Sequence, residues 1–177
     1  MHIDLVFETH STTKDDENRI ATGWNPGRLS PTGRGQARQL GERRRGDGLS
    51  LILTSDLARA LETVAIAFGD VDVPVLHDWR LRECNYGLMN GTPVNELRHE
   101  EYIDAPYPSG ESWREAIARV SGFLHGLGPW TGQRVLVVGH MATHWALDHI
   151  VHGTPIEALV SMPFSWQEGW EYRVRLP

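Results

Sequence analysis

The stretch LVFETHSTTKDDEN, residues 5–18, ends an apolar run on a histidine. Leu5, Val6 and Phe7 read as a buried strand, polarity changes at Glu8, and His10 falls where the strand stops. RVLVVGH, residues 134–140, repeats the arrangement, with branched residues running up to Gly139 and His140. LSLILTSD runs in the same way into Ser55, Asp56 and Arg59 at a helix start. Ligands of open α/β sheets bind at strand ends, and a helix start offers unpaired N–H groups and partial positive charge, so imidazoles and a guanidinium gathered there suit a phosphate. A different chemistry is suggested by His140/His144 and His149/His152, whose spacings could pair metal ligands on a helix with Asp148 as the nearby carboxylate. His140 precedes the helix on the strand reading, which weighs against that pairing. Cys84, beside Glu83, has no Cys–His arrangement around it and reads as a small buried residue.

These residues need a scaffold of alternating strands and helices, and the chain supplies one. After the first strand, Ser30-Pro31 marks a helix start with a hydroxyl N-cap and proline at the first helical position, and the helix ends near Gly46. Arg43, Arg44 and Arg45 then lie in its last turn, where cations complement the helix dipole. A strand around LSLILT precedes a helix over Leu57–Phe68, capped by Ser55 or Asp56. VPVLHD is another short strand, residues 82–92 a loop, Glu111–Leu127 a helix ended by Gly128-Pro129, and Thr143–Val151 a further helix. Residues 134–139 have the composition of a strand covered on both faces, and Trp170–Leu176 alternates as an edge strand does. The expected fold is α/β, three layers, a mostly parallel sheet flanked by helices, in one domain over residues 1–177.

Composition sets the limits on partners. A chain of 177 residues with 40% hydrophobic content suits one domain with a substantial core. The net charge of −6 disfavours nucleic acid and anionic lipid, and no apolar run approaches the ~20 residues of a membrane span. The N-terminus lacks a basic region and a cleavage site, and the single cysteine fits a reducing compartment, so a cytoplasmic location is expected.

In order along the chain stand Thr9-His10-Ser11, Thr13, Asp16, Thr22-Gly23-Trp24, Leu29 to Gly33, Ser55-Asp56-Leu57-Ala58-Arg59-Ala60-Leu61-Glu62-Thr63, Leu81-Arg82-Glu83 with Tyr86-Gly87, Pro108 to Ser112, and Val138-Gly139-His140. This series resembles the histidine phosphatase superfamily, the phosphoglycerate mutase-like proteins, over nearly the whole chain. The resemblance implies a phosphomonoester hydrolase with His10 as the nucleophile that becomes phosphohistidine and Glu83 as the proton donor. It further implies that Arg59, His140, Thr9, Thr13 and Asp16 bind phosphate, that Thr22, Gly23 and Trp24 border the substrate, and that no cofactor or metal is needed. The partner it implies is a small phosphate ester, and a homodimer is left open.

The sequence departs from the family pattern at three places around His10. Thr9 stands where the family has arginine, Ser11 where it has glycine and Asp16 where it has asparagine. Loss of a bidentate guanidinium from a dry phosphate site removes about 1.5–3 kcal/mol of charge-assisted binding. Arg28, Arg82 and His144 are candidates to compensate. A catalytically silent phosphate-binding domain is therefore the alternative to the phosphatase. A mutase is less favoured, since the insertion with a basic pair that mutases carry after Glu83 is missing, and so is a metal-dependent hydrolase.

Overall fold

The computed structural model describes residues 1–176. Its strands are β1 (His2–Thr9), β2 (Ile20–Ala21), β3 (Leu51–Thr54), β4 (Val75–His77), β5 (Thr92–Pro93), β6 (Arg134–Gly139) and β7 (Trp170–Arg175). The helices are α1 (Lys14–Glu17), α2 (Pro31–Arg44), α3 (Ala58–Phe68), α4 (Trp113–His125), α5 (Met141–His152) and α6 (Ile156–Ser161). Five strands make one sheet in the order β4-β3-β6-β1-β7, and β2 pairs separately with β5. Every neighbour pair of the large sheet is parallel except β1 with β7. This is the mostly parallel, helix-flanked sheet expected from the sequence.

Alternation along the strands divides the core. Ile3, Leu5 and Phe7 of β1 join Val135, Val137, Leu51 and Leu53 against Phe123, Leu124 and Leu147 of α4 and α5. Val6, Ile52, Leu136 and Val138 face the other way, against Leu40 of α2 and Val64, Ala67 and Phe68 of α3. A strand buried on both faces has no polar side to alternate with, which is why β3 and β6 are apolar at nearly every position. A third cluster, around Trp113, Trp145, Tyr86 and Tyr107, joins α4, α5 and α6 to the loop residues Cys84, Tyr86, Leu97 and Tyr107.

Several helix ends differ from the sequence expectation. Ser30 does cap α2, its hydroxyl accepting from the Gly33 N–H at 3.1 Å. Neither Ser55 nor Asp56 caps α3; Leu57 holds that place, and Asp56 instead accepts both Arg82 contacts at 2.6 Å. Ser112 starts α4 through a capping box with Glu115, and α5 begins at Met141, directly after His140. The elements α1, β2 and β5 span four residues or fewer, too few for a period to register.

The basic triplet at the end of α2 does more than complement a dipole. Arg43 and Arg44 both reach Glu8, a carboxylate only 1% exposed on β1, at 3.1 and 2.8 Å. Arg44 also donates to Asp47 at 3.0 Å and to the carbonyl of Glu168 at 2.8 Å. Gly169 packs against this guanidinium with φ of +84°, and a Cβ there would strike Arg44. Arg45 pairs with Asp70 on the exposed surface. Removing one partner of a buried ion group strands the other, so Glu8→Ala should cost about 3 kcal/mol or more in urea unfolding. Arg45→Ala should leave the midpoint nearly unchanged, and equal effects of the two would show that Glu8 is not the buried anchor.

Candidate active site

Parallel pairing brings three strand ends to one edge of the sheet. The His10 N–H donates to the Gly139 carbonyl at 2.9 Å, and the Ser55 N–H to the Val138 carbonyl at 3.3 Å. The His10 and His140 rings consequently lie 5.0 Å apart. They share a cavity of about 560 Å³ with Thr9, Asp16, Arg59 and Glu83.

His10 is oriented at both ring nitrogens. Nδ1 lies 2.8 Å from the Ser11 carbonyl, which can only accept, so Nδ1 carries the proton and Nε2 keeps its lone pair. Arg59 Nε donates to that Nε2 at 3.3 Å. Desolvation, and then the neighbouring Arg59 charge, lower the His10 pKa from 6.5 to about 4. The ring is therefore neutral at physiological pH. Arg59 is buried and anchored by Nη2 to the Gly23 carbonyl at 2.9 Å. Gly23 turns that carbonyl inward with φ of +53°, and a side chain there would overlap Asn90.

His140 is set the opposite way. The Ser55 hydroxyl accepts from the Leu57 N–H at 3.2 Å, so its own hydrogen is free to be donated to His140 Nε2, 2.6 Å away. In that arrangement the proton of the neutral ring sits on His140 Nδ1, which is buried and has no hydrogen-bond partner among the described residues. An unpaired buried donor in a cavity wall is a group held ready for an acceptor. Burial, then the charge on Arg59, hold the His140 pKa well below its usual value.

Glu83 is clamped at backbone and side chain. Its carbonyl accepts from Trp24 Nε1 at 2.7 Å and from Arg119 Nη2 at 2.8 Å. Its Oε1 accepts from the Cys84 and Ala142 N–H groups at 2.8 and 3.0 Å, the latter in the first turn of α5. Burial raises the Glu83 pKa, against the pull of these bonds and of Arg59. Cavity, nucleophilic imidazole, buried guanidinium and protonatable carboxyl together have the parts needed to transfer a phosphoryl group.

A family model of the histidine phosphatase superfamily (branch 1) matches residues 5–168. The chain belongs to this superfamily. It is 29% identical over 173 residues to a 2,3-bisphosphoglycerate-dependent phosphoglycerate mutase of Methylobacterium sp. (strain 4-46), covering 88% of this chain and 83% of that protein. Among solved structures, YhfR of Bacillus stearothermophilus superimposes with a TM-score of 0.83 at 29% identity, over 94% of this chain and 88% of its own. A mycobacterial glucosyl-3-phosphoglycerate phosphatase, 23% identical, shares the fold with a TM-score of 0.76 over 92% of this chain and 87% of its own.

Of the residues the sequence singled out, His10, Glu83, Arg59, His140, Thr9, Asp16, Thr22 and Gly23 line the cavity. Thr13 and Trp24 do not. Thr13 is fully buried as the N-cap of α1, its hydroxyl exchanging bonds with Asp16 in a capping box, so it is committed to the helix. Trp24 serves the Glu83 carbonyl instead, with Arg82 stacked on its ring at 4.5 Å. None of Arg28, Arg82 and His144 lines the cavity. His144 lies against Phe7 and Trp170 with Nδ1 on the Tyr172 hydroxyl, and His149 Nδ1 lies on the Thr154 carbonyl, so the histidine pairs spaced for a metal face different partners.

The sequence reading gave no role to Ser55 as partner of His140, nor to Thr63, whose hydroxyl accepts from the Ser11 N–H and donates to the Arg59 carbonyl. No sequence signal marks Arg119, which binds Glu111 and three carbonyls of residues 80–83. Ser55 and Thr63 belong to the quoted nine-residue motif, which was the available signal. Arg119 had none beyond its place on a helix.

Proton linkage gives a direct check on these environments. His10 and His99 are both held at about 4 and His140 well below its usual value, so the unfolded chain binds more protons than the folded one between pH 4 and 6.5. Stability should therefore fall as pH drops through that window, with Glu83, raised rather than lowered, opposing in part. NMR of the imidazole C–H groups should show His10 and His99 titrating near pH 4, and titration near 6.5 would contradict the arrangement.

Proposed function

We propose that this chain is a phosphomonoester hydrolase acting on a small phosphate ester through a phosphohistidine on His10. The observation that carries the reading is the lone pair of His10 Nε2, kept neutral and aimed into the cavity beside a buried guanidinium. That pair forms the N–P bond as the P–O ester bond breaks, and protonated Glu83 gives its proton to the departing oxygen. Glu83, now a carboxylate, takes a proton from water, whose oxygen forms the new P–O bond. The N–P bond breaks, its electrons return to Nε2, and inorganic phosphate leaves. Arg59 passes its Nε–H from the imidazole to a phosphoryl oxygen, and His140 Nδ1–H supplies a second donor, so charge spread over the phosphoryl oxygens is met by groups already in place.

A second reading, a phosphate-binding domain without turnover, is favoured by one feature. Arg59 is the single arginine or lysine lining the cavity, and Asp16 places a carboxylate near it, while Thr9 holds the position of the family arginine. The two readings part on direct measurement. In the enzyme, His10→Ala should abolish hydrolysis of p-nitrophenyl phosphate with the circular dichroism spectrum unchanged, and acid-quenched wild type should carry acid-labile, alkali-stable phosphate. Full turnover without His10 would end the nucleophile assignment, and phosphate binding without turnover in wild type would favour the silent domain.

The charge deficit supplies a further test. The Asp16 carboxylate accepts from the Thr13 N–H and hydroxyl at 2.7 and 2.8 Å, bonds that an asparagine oxygen can also accept. Thr9→Arg with Asp16→Asn should therefore keep α1 capped and tighten inorganic phosphate binding by about tenfold or more in isothermal titration. Equal or weaker affinity in a folded variant would mean that these two positions do not face the anion.

A further inference from the structure

His10, Arg59, Glu83 and His140 account for part of the cavity lining, and much of the remainder has a different character. Ile20, Val94, Leu97, Met141, Phe164 and Trp166 line it, with Thr12, Gln36 and Tyr86 as uncharged polar neighbours. Phe164 and Trp166 are 43% and 56% exposed and Val94 48%, large apolar side chains standing open at the rim of a pocket. The imidazole in this wall, His99, has Nδ1 on the Tyr107 hydroxyl at 2.8 Å and its ring edge-on to Trp113 and Trp145. Burial holds it neutral, with a pKa of about 4. Among the lining residues no arginine or lysine other than Arg59 is present, and Arg59 donates to His10.

A leaving group carrying a second phosphate or a carboxylate would shed its water against these walls and meet no countercharge. An apolar group would gain by the same burial. We infer that the organic half of the substrate is uncharged and apolar, of about the bulk of an aromatic ring, and that it lies against Val94, Leu97, Phe164 and Trp166. This inference rests on the phosphatase reading and selects its substrate class, in contrast to the phosphoglycerate named for the mutase relative.

The test compares 2-phenylethyl phosphate, glycerol 3-phosphate and 3-phosphoglycerate, all esters of primary alcohols, so that leaving-group acidity differs little. Purified full-length protein should hydrolyse 2-phenylethyl phosphate with a kcat/KM at least tenfold above the other two, the difference lying chiefly in KM, and 3-phosphoglycerate should be slowest. Hydrolysis of 3-phosphoglycerate as efficient as that of the aryl-alkyl ester would overturn the inference while leaving the phosphatase intact. Absence of hydrolysis of all three, together with no phosphoenzyme from p-nitrophenyl phosphate, would count against the phosphatase. The pocket would then be read by calorimetry with 3-phenylpropylphosphonate and 3-phosphonopropionate. The aromatic phosphonate should bind at least tenfold more tightly, and equal or reversed affinities would overturn the inference. Val94→Arg, at an exposed rim position, should narrow the preference for 2-phenylethyl phosphate over 3-phosphoglycerate at least fivefold. An unchanged ratio in the folded variant would show that the organic group lies elsewhere.

Discussion

The parallel register of β1 and β6 is the constraint on which the site depends. It sets Thr9 opposite Gly139, so both strands end at one level and each hands the next residue, His10 or His140, to the same opening. β3 pairs with the other side of β6 and delivers Ser55 to the buried nitrogen of His140. Because these strands are covered on both faces, a one-residue slip would exchange the side chains meeting α2 and α3 with those meeting α4 and α5. Core packing thereby protects the spacing of the two imidazoles, although neither ring belongs to the main core clusters.

Within that frame the electrostatic logic is one of unmet demand. Arg59 is buried with its guanidinium held by the Gly23 carbonyl and donating to His10, and among the described residues no carboxylate bonds it directly. His140 keeps a buried Nδ1 with no partner among the described residues, and Glu83 keeps a carboxyl that burial favours in its neutral form. Each unsatisfied buried group costs about 1–3 kcal/mol in a folded chain. The surrounding structure sustains these costs through bonds that leave the groups little freedom: Ser55 to His140, Thr63 between Ser11 and Arg59, and Trp24 with Arg119 on the Glu83 carbonyl. A buried guanidinium whose bonds go to neutral acceptors, next to a buried imidazole nitrogen with no described partner, has the electrostatic character that suits an anion.

The parts that were legible in the sequence are those whose signals are local. β1 and β6 declared themselves through uninterrupted apolar runs, α2 through Ser30-Pro31, and the gathering of His10, His140 and Arg59 through their places at element ends. Motif position assigns Thr13 to phosphate and Trp24 to substrate, whereas the structure commits one to a helix cap and the other to a backbone carbonyl. Motif position is shared by residues that touch a ligand and by residues that hold those residues still. Ser55 shows the converse, since a hydroxyl just before a helix is ordinarily a cap, and only the adjacency of β3 and β6 turns it toward His140. The apolar wall was invisible for a related reason. Its residues come from β2, the 86–99 loops, the start of α5 and the segment before β7, and no period connects them.

That last segment ties the fold's buried ion group to the mouth of the cavity. Arg44, held by Glu8 inside the sheet edge, donates to the Glu168 carbonyl, and Gly169 closes against the same guanidinium before β7 begins. Phe164 and Trp166 stand only a few residues upstream, with Phe164 within aromatic reach of Trp170 and His144. The segment's other end leaves α6, whose Ile156, Leu159 and Val160 are buried in the third cluster. An apolar rim that is itself half exposed has little packing energy to hold it, so its position must be dictated from its roots. One root is an ion pair between β1 and α2, the other a helix packed among aromatic rings, so the placement of Phe164 and Trp166 depends on buried contacts that neither side chain makes itself.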